Sequence, residues 1–261
     1  MSADERENLA EGTLISHLIE LRDRLLRAVI CIGVLFLPCA YFSNELFTLV
    51  ATPLIERMPA GTSMIATSLV SPFLAPLKLS LFVALFAAMP YVLYQAWAFV
   101  APGLYKHEKR FAVPLVVSSI VLFYCGVAFA YFVVFPLMFA FFTTAAPAGV
   151  QMMTDMQNYL DFVLLLFFAF GVAFEIPVAT VLLVSTGMVS VETMTKNRGY
   201  ILLGIFIVAA FLTPPDALSQ TMMALPMYLL YEIGIILSRF LLKKRAESAA
   251  AEAEAGTKTE T

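Results

Sequence analysis

Residues 111–142 read FAVPLVVSSIVLFYCGVAFAYFVVFPLMFAFF, 32 consecutive positions without a charged side chain. A helix of that length rises about 48 Å at 1.5 Å per residue. The hydrocarbon core of a bilayer is only ~30 Å thick. A helix that is apolar all round must be covered all round, and lipid does that directly. The stretch therefore predicts a transmembrane helix too long for its membrane, one that must tilt, kink near Pro136 or project beyond the bilayer.

The same reading extends in both directions. Residues 79–100 are uncharged and contain Pro90, and residues 25–42 carry one charge, Arg27, near their start. Downstream, residues 162–184 are interrupted by Glu175, residues 200–213 stop at Pro214-Pro215, and residues 221–237 contain Glu232. The last two runs are short, and fourteen residues reach only about 21 Å. Two short neighbours predict hydrophobic mismatch and a thinned bilayer on that side. A re-entrant helix pair is the alternative. The expectation is an all-α, polytopic membrane protein with six transmembrane helices, at about 25–42, 79–100, 111–142, 162–184, 200–213 and 221–237, with helices 5 and 6 short. It divides into a cytoplasmic N-terminal segment (1–21), a six-helix transmembrane domain (22–240) and a cytoplasmic tail (241–261). The tail is mainly Ala, Glu and Thr without an apolar pattern, so disorder is expected there.

Composition agrees. Of 261 residues, 61% are hydrophobic and 13% charged, with a mean hydropathy of +0.88. Soluble domains carry about 25% charged residues. A water-soluble enzyme, a nucleic-acid module and a disordered scaffold are all excluded. The net charge of -3 matters less than its placement. Fourteen of the sixteen Lys and Arg residues fall before helix 1, between helices 2 and 3, between helices 4 and 5, or after helix 6; only Arg57 and Lys78 fall on the opposite side. This alternation predicts that both termini are cytoplasmic. The N-terminus, with Asp4, Glu5, Glu7 and Glu11, does not read as a cleaved signal peptide. On the outer side, residues 44–57 read as an interfacial amphipathic helix broken by Pro53, and residues 143–159 as a polar loop. Cys31, Cys39 and Cys125 lie in apolar runs and read as small buried residues; no metal ligand set or cofactor motif is present in the sequence.

Ionisable residues at membrane depth are costly, which makes them functional candidates. Glu175, in GVAFEIP, is the clearest; a protonated, hydrogen-bonded structural role is the equal alternative. Glu232 can snorkel or pair with Arg239. Glu20 lies in HLIELRDR and Glu108 in LYKHEKR. Locally, Glu20 can pair with Arg24 at i,i+4 and Glu108 with its basic neighbours. Together the two carboxylates could instead clamp guanidinium groups, which match a carboxylate's geometry in a way lysine does not. Asp216, after Pro214-Pro215, suits the N-cap of helix 6.

Taken in order, His17-Leu18-Ile19-Glu20-Leu21-Arg22, then Trp97 through Glu108, then Phe174-Glu175-Ile176-Pro177, then Leu212-Thr213-Pro214-Pro215-Asp216 resemble the TatC family, the polytopic component of the twin-arginine protein translocase. The resemblance covers about residues 12–240. It implies six transmembrane helices arranged as a concave wall in the bacterial cytoplasmic (inner) membrane. It also implies recognition of twin-arginine signal peptides on folded precursors, with Glu20 and Glu108 contacting the two arginines and Arg22, Phe99 and Leu104 belonging to the same site. Thr213 and Gln220 match the family's edge for the single-span partners TatA and TatB; a nearby position often Met in relatives is Ala210 here. Pro53 and Asp216 match positions affecting assembly or transport, and Glu175 the family's intramembrane glutamate. Export driven by the proton-motive force, no cofactor, no enzymatic activity and a homo-oligomeric state within the complex follow from the same resemblance. A small-solute secondary transporter using Glu175 as an ion or proton site is the alternative.

Overall fold

Inside a bilayer every backbone N–H and C=O must be satisfied within its own segment, and the α-helix does this. The computed structural model describes residues 3–55, 63–104, 112–145, 153–213 and 216–259. Its helices are α1 (Ala3–Tyr41), α2 (Ser43–Ile55), α3 (Ser71–Leu104), α4 (Ala112–Phe129), α5 (Phe135–Ala145), α6 (Met156–Ala173), α7 (Ile176–Ser185), α8 (Val191–Lys196), α9 (Arg198–Leu212) and α10 (Ala217–Thr259). Among the described residues, five segments are long and apolar enough to cross a membrane: Ile15–Tyr41, Ser71–Phe99, Val113–Phe141, Met156–Ser185 and Ala217–Lys244. Arg198–Leu212 is apolar but shorter, and its 15 residues span about 22 Å. The six expected helices are thus all present. The apolar part of α10 extends beyond residues 221–237 at both ends.

The chain forms two compact units, residues 1–120 with 151–164, and residues 121–150 with 165–261. In the first, α1 and α2 pack on α3. Ala75 and Leu79 of α3 meet Leu160 and Leu164 of α6 in a buried cluster, flanked by Phe47, Phe82, Val83 and Met156. The Trp97 indole donates to Ser119 Oγ at 2.7 Å, so its one polar atom is satisfied. Short strands β1 (Ser63–Ile65) and β2 (Met153–Asp155) pair in parallel, Ser63 opposite Met153 and Ile65 opposite Asp155. The polar 143–159 connection was not expected to contain a strand. The pairing requires the two connections to share one side, as two intervening crossings demand. Asp155 caps α6, its Oδ1 accepting the amides of Gln157 and Asn158, each at 3.0 Å, while Oδ2 accepts the Thr67 amide at 3.1 Å and the Thr67 hydroxyl. Lys78 and Asp161 form an ion pair at 2.6 Å nearby.

The long uncharged run is one span, Val113–Phe141, with a widened turn. A π-helical segment, Ala130–Val134, separates α4 from α5, and the Phe135 amide donates to the Ala130 carbonyl. Pro136 lacks an N–H and crowds the preceding turn, so the ladder loosens just before it. Gly126 of α4 lies against Phe170, Gly171 and Phe174, and Gly171 lies against the ring of Phe123. Gly234 of α10 similarly faces Thr180 and Pro177 of α7. Large side chains such as Phe132, Tyr200 and Phe211 are exposed, because lipid, not protein, is their intended surrounding.

Three local expectations change. α2 runs through Pro53 and ends two residues later at Ile55, so the proline costs one ladder bond without stopping the helix at its own position. The chain is helical through Thr259 rather than irregular after 240, consistent with the high helix propensity of its Ala, Glu and Lys. Cys125 is exposed rather than buried.

Candidate functional site

In the first unit, two faces of adjacent helices carry the candidate groups. His17 and Glu20 are one turn apart on α1, and Gln95 and Phe99 one turn apart on α3. The His17 ring stacks on Phe99 with centroids 4.2 Å apart and planes 20° from parallel. Glu20 Oε1 accepts two bonds from Arg24, from Nη2 at 2.6 Å and Nε at 3.0 Å. Arg24 Nη1 also reaches Gln95 Oε1 at 3.4 Å. The expected i,i+4 pair is therefore formed, and Gln95 joins it, a buried residue that no local pattern in the sequence singles out. Arg22 points elsewhere, paired with Asp23 at 2.8 Å in an exposed position, because i,i+2 neighbours do not share a helix face. Leu104 ends α3. Glu108 lies outside the described residues, as does the surrounding 105–111 segment, and the side chains of Leu104 and Pro53 are likewise not described.

In the second unit, Glu175 sits at a break. α6 ends at Ala173, α7 begins at Ile176 with Pro177 in its first turn, and Glu175 occupies the N-cap position. Proline suits the start of a helix, where the missing N–H costs nothing. The Glu175 residue is half-buried, but both of its carboxylate oxygens are fully shielded. Phe174 beside it meets Phe129, ring centroids 5.5 Å apart.

The α9–α10 corner brings three further candidates together. Thr213 is buried and its hydroxyl donates to the Ala209 carbonyl at 3.0 Å. Gln220 Nε2 donates across the corner to the Phe206 carbonyl at 2.8 Å. Asp216 caps α10, accepting the Ser219 amide at 2.7 Å. That amide, then the Ser219 hydroxyl and the Leu218 amide, hold its carboxyl below the usual range.

Glu232 departs from expectation. Its partners are Arg198 at 2.7 Å and the Tyr228 hydroxyl at 2.9 Å. Tyr231 donates to the Met194 carbonyl at 3.0 Å, so α8, α9 and α10 are tied at one corner. The Tyr228–Glu232 pair was visible as i,i+4 spacing, whereas Arg198 reaches Glu232 only through the tertiary fold.

These features define a multi-pass α-helical membrane protein, with carboxylates near the start of the first span, at a helix break within a later span and at a short-helix corner. A family model described as Sec-independent protein translocase protein (TatC) matches residues 16–226. The Sec-independent protein translocase protein TatC of Haemophilus influenzae is 52% identical over 247 residues, covering 95% of this chain and 96% of its own. That of Escherichia coli strain K12 is 56% identical over 231 residues, covering 88% of this chain and 90% of its own. A crystal structure of a twin-arginine translocase receptor, TatC, superimposes with a TM-score of 0.78 at 36% identity, covering 86% of this chain and 98% of that one. The chain belongs to the TatC family. It is a component of the twin-arginine, Sec-independent protein translocase, a family of transport proteins rather than known enzymes. The small-solute transporter alternative is not supported.

Proposed function

We propose that this chain is the signal-peptide receptor and core subunit of the translocase, lying in the bacterial inner membrane with both termini cytoplasmic. The observation that carries the reading is the match to TatC proteins over nearly the whole chain, joined to a carboxylate, Glu20, that already holds a guanidinium in charge-assisted geometry. Glu20 and Glu108 each take one arginine of the signal. Phe99, Leu104 and Arg22 complete that site, with the His17–Phe99 stack as its apolar floor. Thr213 and Gln220 form the edge that receives the single-span partners TatA and TatB, held in shape by their inward hydrogen bonds. Pro53 and Asp216 serve assembly, and Glu175 is the intramembrane polar contact. The chain acts as a homo-oligomer within the complex, and the proton-motive force drives export without nucleotide hydrolysis.

The test compares a twin-arginine signal peptide with its twin-lysine counterpart on the purified chain, in the parent and in Glu20→Ala, Glu108→Ala and the double variant. The expected result is a preference for arginine in the parent that the double variant loses. Undiminished crosslinking to the double variant would refute the clamp.

A further inference from the structure

We propose that Arg24 is an internal stand-in for the guest arginine at Glu20, so that docking exchanges one guanidinium for another. The proposal rests on the reading of Glu20 as a signal-peptide contact. Arg24 lies one turn beyond Glu20 on α1, and its Nη2 and Nε converge on a single oxygen, Oε1, at 2.6 and 3.0 Å. Both Arg24 bonds fall on Oε1 rather than Oε2, so the second oxygen is where a guest N–H can begin. The Arg24 and Glu20 side chains are 21% and 37% exposed, shielded enough for the pair to persist and open enough for a guest to reach it.

Gln95 makes the exchange reversible. It is buried, 5% exposed, on α3, and its Oε1 already faces Arg24 Nη1 at 3.4 Å. When a guest takes the carboxylate, Arg24 keeps this neutral acceptor, so one of its N–H groups stays hydrogen-bonded. In the unloaded protein Arg24 performs the converse service for Glu20. The arrangement also sets the affinity. A guest must outcompete a guanidinium that offers two N–H donors to one oxygen, and an ammonium has no comparable planar fork. Because either guest displaces the same internal guanidinium, Arg24 lowers affinity for both alike, and the preference for arginine comes from the match of the Glu20 carboxylate to a planar fork.

The experiment measures binding of twin-arginine and twin-lysine peptides to the full chain in lipid nanodiscs, in the parent and in Arg24→Gln, Arg24→Lys, Arg27→Gln and Glu20→Ala. Arg27 is exposed on the same helix, and its replacement removes one positive charge without touching Glu20. Arg24→Gln should bind the twin-arginine peptide about two- to tenfold tighter, the span from an exposed i,i+4 pair to an ordinary net hydrogen bond. The twin-lysine peptide should gain by the same factor, since both guests displace the same internal partner. Arg24→Lys should lie between it and the parent, and Arg27→Gln should track the parent. A folded Arg24→Gln that binds no tighter than the parent overturns the proposal, and so does a gain equalled by Arg27→Gln. If Arg24→Gln does not fold, Arg24→Lys decides: twin-arginine binding no tighter than the parent's overturns it. Weakened binding in Glu20→Ala with no gain in Arg24→Gln defeats the exchange alone, whereas undiminished binding in Glu20→Ala defeats the underlying clamp and the exchange with it.

Discussion

Replacing Gly126 with Ala tests how tightly the second unit is packed. A Cβ built at Gly126 meets the Phe170 carbonyl oxygen inside any permitted contact, Phe174 Cγ at 2.9 Å and Gly171 Cα at 3.0 Å. Two of these are backbone atoms, so no side-chain rotation relieves them and the helices must separate. Overpacking costs about 1–3 kcal/mol, and a backbone obstacle argues for the upper end. Against it, Ala gains roughly 1 kcal/mol over Gly within a helix. The net loss is about 2 kcal/mol, or roughly thirtyfold in the folding equilibrium. For a chain of this size that lowers the melting temperature by roughly 4–8 °C. Gly33→Ala and Gly204→Ala are the matched controls, because a Cβ at either meets nothing within 4 Å. They should be neutral or slightly stabilising. Thermal unfolding in one detergent, followed by far-ultraviolet circular dichroism, gives all three values. A Gly126→Ala protein as stable as the parent, or controls equally damaged, would refute this packing.

Two further outcomes follow from the polar contacts. Arg198→Ala and Glu232→Ala should each lower the melting temperature, and the double variant should be no worse than the worse single, since each change strands the other's partner; strictly additive losses would argue that the pair is uncoupled. Asp155 has its carboxyl lowered from 3.8 to about 2, chiefly by the Thr67 hydroxyl and then by the amides of Asn158, Thr67 and Gln157. A depressed carboxyl stabilises the fold fully above its unfolded value and loses that contribution as pH falls through the folded one. The stability gap between the parent and Asp155→Asn should therefore be open at neutral pH and close between those two values; a gap that persists in acid would exclude the ionised carboxylate as its source.

What the sequence made legible was whatever the bilayer or the helix period dictates. A crossing needs about 20 apolar residues, so the runs and their charged flanks announced the spans. Glu20 and Arg24 are four apart on one helix, and Asp216 follows a double proline, so the pair and the cap could both be read locally. The contacts that escaped depend on segments distant in the chain. Nothing in Ser63–Ile65 marks it as a strand, because three residues hold too little alternation to show a period. Arg239 is nearer than Arg198 to Glu232 in sequence, yet packing selects Arg198. Pro136 signalled a distortion in the long third span, but the ladder yields upstream of it, at Ala130–Val134, where proline's missing donor and bulky ring act.

The pairing of β1 with β2 also sets a schedule for biogenesis. At 5–20 residues per second, β2 leaves the ribosome roughly 5–20 s after β1. During that interval β1 is an unpaired edge and Thr67 waits for Asp155. The ladder closes only when an even number of crossings has delivered both strands to the same face. A helix that failed to insert, or inserted backwards, would leave them separated by the membrane. Closure of this small patch therefore reports that the intervening spans have threaded correctly, and it links the order of synthesis to the finished topology.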